Sequence, residues 1–177
     1  MAMPNNHLTM ESQEKLNDIL CCPECYYNLI KDEDLTCHSC RKHYPIYNGI
    51  PVPISDTELQ NQIADDRIDQ MHLKEIIKSK IPMPDERLWS PKAKKLIKKI
   101  LIEKNPESPN TYVVNMGSGV ESFYKKIFIS FKSLIRIGIP HSGYVNAYSD
   151  AMSLPLKSNS VDLFISSSVI EHLPDPE

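Results

Sequence analysis

The chain has 177 residues, with 20 Lys and Arg against 23 Asp and Glu and a net charge of -3. That is enough for one full-sized domain, or one domain with a small appendage. Its 41% hydrophobic and 24% charged residues exclude collagen, a disordered tail and a disulfide-dense toxin scaffold, and the mild acidity argues against a dedicated nucleic-acid binder.

Four pieces follow in chain order: 1–20, 21–54, 55–110 and 111–177. The first is polar and carries one short helical pattern, Leu16, Ile19 and Leu20. It lacks the apolar core of a signal peptide, and no stretch of the chain approaches the ~20 apolar residues of a membrane helix. The expected setting is a reducing cytoplasm, where cysteines serve as metal ligands rather than disulfides. Residues 21–54 hold all five cysteines. Residues 55–110 read as a helical connector with two patterned runs, Leu59 to Lys80 and Pro91 to Lys104, joined by the hinge Ile81-Pro82-Met83-Pro84. From Thr111 onward, short apolar runs alternate with turns. Thr111–Asn115, Leu134–Ile137, Tyr144–Ala147 and Val161–Ile165 read as strands, and Ser122–Phe131 reads as a helix.

Cys22-Pro-Glu-Cys25 is followed, after eleven intervening residues, by Cys37-His-Ser-Cys40. Two such knuckles bring four thiolates to the corners of a tetrahedron, the geometry of structural zinc, and leave no open position for a reacting water. A ribbon of about 34 residues buries little core, so the metal supplies much of its folding free energy. Cys21 reads as a small core residue or spare thiol; His38 and His43 are weaker alternative ligands. After the second knuckle, His43-Tyr44-Pro45-Ile46-Tyr47-Asn48-Gly49-Ile50-Pro51 reads as strand, Asn-Gly turn, strand. This CPxC, CxxC and "YPI-x-x-GIP" succession over residues 20–54 resembles the zinc ribbon at the front of many bacterial methyltransferases, which also occurs as the small activator subunit of certain RNA and protein methyltransferases.

Val113-Val114-Asn115-Met116-Gly117-Ser118-Gly119 runs a strand into Gly-x-Gly. The first glycine permits a sharp turn and the second a close ligand approach at a helix N-terminus. Further on stand Asp150-Ala151-Met152-Ser153-Leu154-Pro155-Leu156, then Asn159-Ser160-Val161-Asp162-Leu163-Phe164-Ile165, then Ser166 to Pro176 with Glu171 and His172. In this order the elements are similar to class I S-adenosylmethionine-dependent methyltransferases of the type 11 group. The resemblance implies an α/β fold: a partial Rossmann-like sheet preceded by a small β zinc ribbon and a helical connector. It implies S-adenosylmethionine as cofactor beside structural zinc on Cys22, Cys25, Cys37 and Cys40. The cofactor would be held by Asn115, Gly117, Ser118, Gly119, Asp150, Ala151, Met152 and Ser166, with Ser167 and Ser168 facing the same pocket. The implied activity is methyl transfer to a small-molecule or glycan-related acceptor. No catalytic residue is assigned, His172 included.

Several positions depart from the family pattern. Asn115 replaces the usual strand-one acid, and Glu121 stands where a small residue is expected. The acid that grips both ribose hydroxyls falls at Gly138, and residues 134–148 contain no carboxylate. Losing that charged bidentate contact weakens cofactor binding by about 1.5–3 kcal/mol. About four of the family's seven strands are present, so the edge of the last one is expected to be covered by a homodimer partner, by a separate chain, or by residues beyond Glu177 if the sequence is truncated. The alternative is thus a non-catalytic zinc-ribbon scaffold whose degenerate methyltransferase half binds a protein partner. Lys92, Lys94, Lys95, Lys98, Lys99 and Lys104 surround Leu96, Ile97, Ile100 and Leu101; this reads as a solvated helix face, with RNA contact ranked below it.

Overall fold

The computed structural model describes residues 9–64, 90–106, 108–117, 133–138, 145–166, 169–170 and 173–174. Helix α1 spans Met10–Ile19. Thr9 caps it: its hydroxyl accepts from the Ser12 amide while Ser12 Oγ accepts from the Thr9 amide, a reciprocal box that satisfies two orphan donors. Leu16 and Ile19, three apart, fall on one buried face of the helix, with Leu20 just past its end.

Strands β1 (Leu29–Lys31), β2 (Leu35–Cys37) and β3 (His43–Tyr44) form an antiparallel sheet. Pro45 has no amide to continue the ladder, and the chain turns into a separate hairpin, β4 (Ile46–Tyr47) with β5 (Ile50–Pro51). Asn48 and Gly49 join the two at φ 52° and 81°, both left-handed, as the expected two-residue turn requires. Helix α2 (Thr57–Ala64) is the start of the expected Leu59–Lys80 run. The rest of that run, the Pro hinge and the Ser122–Phe131 helix lie outside the described residues.

Helix α3 covers Pro91–Lys104, as expected, with proline at its first position. Asn105 follows at φ 42°, and its amide donates to the Leu101 carbonyl at 3.1 Å. Lys95, Lys98, Lys99 and Lys104 are exposed, while Leu101 packs on Val113 and Leu134.

Strands β6 (Val113–Met116), β7 (Leu134–Gly138), β8 (Ala147–Tyr148) and β9 (Leu163–Ser166) make a parallel sheet in the order β8-β7-β6-β9. This order is compatible with one half of a Rossmann-like sheet plus the first strand beyond the switch point. Two boundaries move for identifiable reasons. β6 begins two residues late because the Thr111 hydroxyl donates to the Asn105 carbonyl at 3.1 Å and the Tyr112 amide donates to the Asp162 carboxylate at 2.9 Å. β8 begins late because Asn146 uses its side chain on the ladder: its Oδ1 accepts from the Arg136 amide at 2.8 Å.

By register, Val114, Met116, Ile135, Ile137 and Ala147 share one face of the sheet, and Val113 and Leu134 the other. The first face packs on α1 and the ribbon. Leu16, Ile19, Leu20, Cys22, Leu35, Cys37 and Tyr44 lie in one buried cluster with those five sheet residues. Polar contacts reinforce it: Lys15 Nζ donates to the Thr111 carbonyl at 2.8 Å, and Asn146 Nδ2 to Ser12 Oγ at 2.9 Å. A second cluster gathers Val52, Ile54 and Ile63 with Val145 and Tyr148.

Candidate metal centre

The two knuckles converge. Cys22 Sγ lies 3.6 Å from Cys40 Sγ, and Cys25 Sγ 3.4 Å from Cys37 Sγ; all four sulfurs fall within 4.8 Å of one another. Zn–S bonds of about 2.3 Å in a tetrahedron put the sulfurs about 3.8 Å apart, so the four cysteines are positioned to bind a zinc ion. Cys22 and Cys37 are buried, Cys25 half-buried and Cys40 exposed, so the ion would sit at the rim of the core with two ligands anchored inside it.

The Lys42 amide hydrogen bond draws the Cys40 thiol pKa down, but desolvation and the adjoining Cys22, Cys37 and Cys25 sulfurs outweigh it and push it up to about 12. A bound Zn²⁺ would reverse that balance at Cys40 and hold its sulfur as a thiolate.

Support around the sulfurs comes from two side chains whose role the cysteine spacing does not reveal. Tyr44 Oη is 3.1 Å from Cys22 Sγ; once a metal ionises that sulfur, the phenol is the donor. Burial, then the Cys22 sulfur, keep that phenol protonated well above its usual range. Lys42 Nζ pairs with Glu24 at 2.6 Å, tying the first knuckle to the residue just before β3. His38 is exposed, and His43 is turned away to Thr36 Oγ1 at 3.1 Å, so neither histidine completes the ligand set. Cys21 is a core residue with no exposure; burial pushes its thiol up to about 11.

The residues expected to hold S-adenosylmethionine divide. Because the sheet is parallel, Gly117, Ser166 and Asp150 stand at the C-terminal ends of β6, β9 and β8, the edge where such sheets bind ligands. Gly117 has φ +68°, and an added Cβ would fall 2.1 Å from Val169 Cγ2. Ser166 Oγ is buried and has no hydrogen-bond partner among the described residues. Asp150 Oδ1 accepts from the Met152 amide at 2.9 Å, capping its own turn. Asn115 is buried inside β6 beside Arg136, Ala151 packs against the shared cluster, and Met152 is half exposed. Ser118, Gly119, Ser167 and Ser168 lie outside the described residues. The end of β7, where the resemblance would place a ribose-binding acid, carries Gly138.

The geometry defines a class: a small antiparallel ribbon with a four-cysteine centre and an adjoining helix. Residues 13–49 match the Trm112p family, described as Trm112p-like protein. A UPF0434 protein of Nitrosococcus oceani is 42% identical over 50 residues, which cover 27% of this chain and 85% of that relative. Through this segment the chain belongs to the UPF0434 family. The match starts at residue 13, so it takes in most of α1, which sequence patterning set apart from the ribbon. Among the described residues no helix is long and apolar enough to cross a membrane.

Proposed function

We propose that this chain is a zinc-ribbon scaffold that binds a protein partner, and that its parallel half-sheet serves this binding rather than catalysis. Trm112p-like domains are small zinc-binding activators of methyltransferases, which makes a methyltransferase the favoured partner. The observation that carries the reading is β9. Among the described residues it pairs with β6 alone, and Phe164 within it is 41% exposed. An apolar strand edge of this kind invites a further strand from another chain.

Calorimetric titration of S-adenosylhomocysteine into the zinc-loaded chain separates this from the second reading. The scaffold predicts no heat at millimolar ligand, and a partner complex that Phe164→Asp dissociates. Micromolar binding, weakened by Asp150→Ala, supports instead a methyltransferase acting on a small-molecule or glycan-related acceptor. The strand order and the left-handed Gly117 favour that second reading; Gly138 at the ribose position and the Asp150 turn cap weigh against it.

A further inference from the structure

The segment between β8 and β9 is held by the ribbon. The Cys21 amide donates to the Pro155 carbonyl at 2.9 Å, and the Lys157 amide to the Ile19 carbonyl at 2.9 Å. Leu20 and Leu156 form an isolated antiparallel bridge. Ser153 Oγ donates to the Pro23 carbonyl at 3.2 Å, and Lys157 Nζ to the Asp18 carbonyl at 2.6 Å. Pro23 follows the ligand Cys22 directly, and Cys21 precedes it. Beneath these bonds, Ala151, Leu154 and Leu156 pack on the cluster that contains the sulfur-bearing Cys22 and Cys37.

Among the described residues its other hydrogen bonds are local. Its internal backbone bond, Ser153 amide to Asp150 carbonyl at 3.2 Å, closes only a local turn. Its attachment to the sheet ends at the Ser149 amide, which donates to the Gly138 carbonyl at 2.8 Å. The ribbon's own strands are two or three residues long, so without metal the first knuckle loses the fixed geometry that aims the Cys21 amide and the Pro23 carbonyl.

We infer that the ribbon acts on its own chain: α1 and the Cys21–Pro23 backbone form an interaction surface whose partner is the chain's own segment 150–157, and metal loading is transmitted through that surface to the C-terminal end of the parallel sheet. The inference rests on the zinc centre and not on the partner reading, and it assigns this face of the ribbon to a contact within the chain. Coupling is reciprocal: a metal that orders the segment is in turn bound more tightly when the segment is docked.

Hydrogen exchange on the full zinc-loaded chain, before and after chelation and again after zinc is restored, tests it. Removing the metal is expected to speed exchange about tenfold or more at the Cys21 and Lys157 amides, reversibly, and by clearly less at Val113–Met116 and Leu134–Ile137, which share the core but keep their own ladder bonds. Two results overturn the inference. One is retained protection at Lys157 while the β1–β3 amides exchange freely. The other is equal loss throughout the parallel sheet, which would make the metal a support of the whole fold and not of this segment. In the reverse direction, Leu156→Asp is expected to weaken zinc about tenfold in competition with a chromophoric chelator. Ser153→Ala, which removes one hydroxyl donor and leaves the packing intact, is expected to weaken it to a smaller but measurable degree. Zinc affinity unchanged in Ser153→Ala and in folded Leu156→Asp overturns the coupling, whatever the partner experiments give.

Discussion

Leu16 lies where α1, the ribbon and the parallel sheet meet, and it has no exposure at all. Replacing it with alanine removes three carbons from the shared cluster. Their transfer to water costs about 2.4 kcal/mol, and the cavity left between the helix and β7 raises the total to about 3–4 kcal/mol. The distribution of that loss matters more than its size. If ribbon and sheet share one core, urea unfolding of the Leu16→Ala variant shifts two signals together: the charge-transfer band of cobalt substituted at the four cysteines, which reports the ribbon, and far-UV circular dichroism, which is dominated by the helices and the parallel sheet. Met10→Ala, at a position 82% exposed, should change either by less than about 0.5 kcal/mol. A loss under about 1 kcal/mol, or a shift of the cobalt signal alone, would refute the shared core.

Tyr44→Phe deletes the hydroxyl donor to Cys22 Sγ and keeps the buried ring; zinc affinity should fall about tenfold, read by chelator competition, with the fold retained. Burial holds the Lys15 amine below its ordinary value of 10.5, an effect that nearby Glu11 and Asp162 partly offset. The folded chain therefore binds fewer protons there than the unfolded chain over a window just beneath 10.5, and stability from this group rises with pH across that window. Denaturation of wild type and Lys15→Met at pH 8 and pH 10.5 checks this, since the variant should lack that increment. Gly117→Ala meets both a left-handed φ and Val169 Cγ2 at 2.1 Å; a loss of about 2 kcal/mol or more in thermal unfolding is expected, and a neutral result would show that the β6 turn can relax.

The metal centre was legible in the sequence because its chemistry is local. A C-x2-C knuckle is built by four consecutive residues, and eleven residues between Cys25 and Cys37 suffice to return the second pair to the first. The Asn48-Gly49 turn was legible for the same reason: two residues that tolerate positive φ set the hairpin by themselves. The strands β6, β7 and β9 announced themselves as apolar runs, with ends off by one or two residues, as where the Asp162 side chain took the Tyr112 amide. What patterning could not supply was the meeting of distant pieces. Nothing in Leu16, Ile19 and Leu20 says that their apolar face belongs against Ile135 and Ile137. Nothing in Cys21 or Pro23 says that their backbone holds a segment more than 100 residues away. Those contacts are main-chain hydrogen bonds and nonspecific apolar burial, which any residue of the right size can make, so only the tertiary structure decides them. Metal ligation needs particular atoms, and for that reason it is written in the residues themselves.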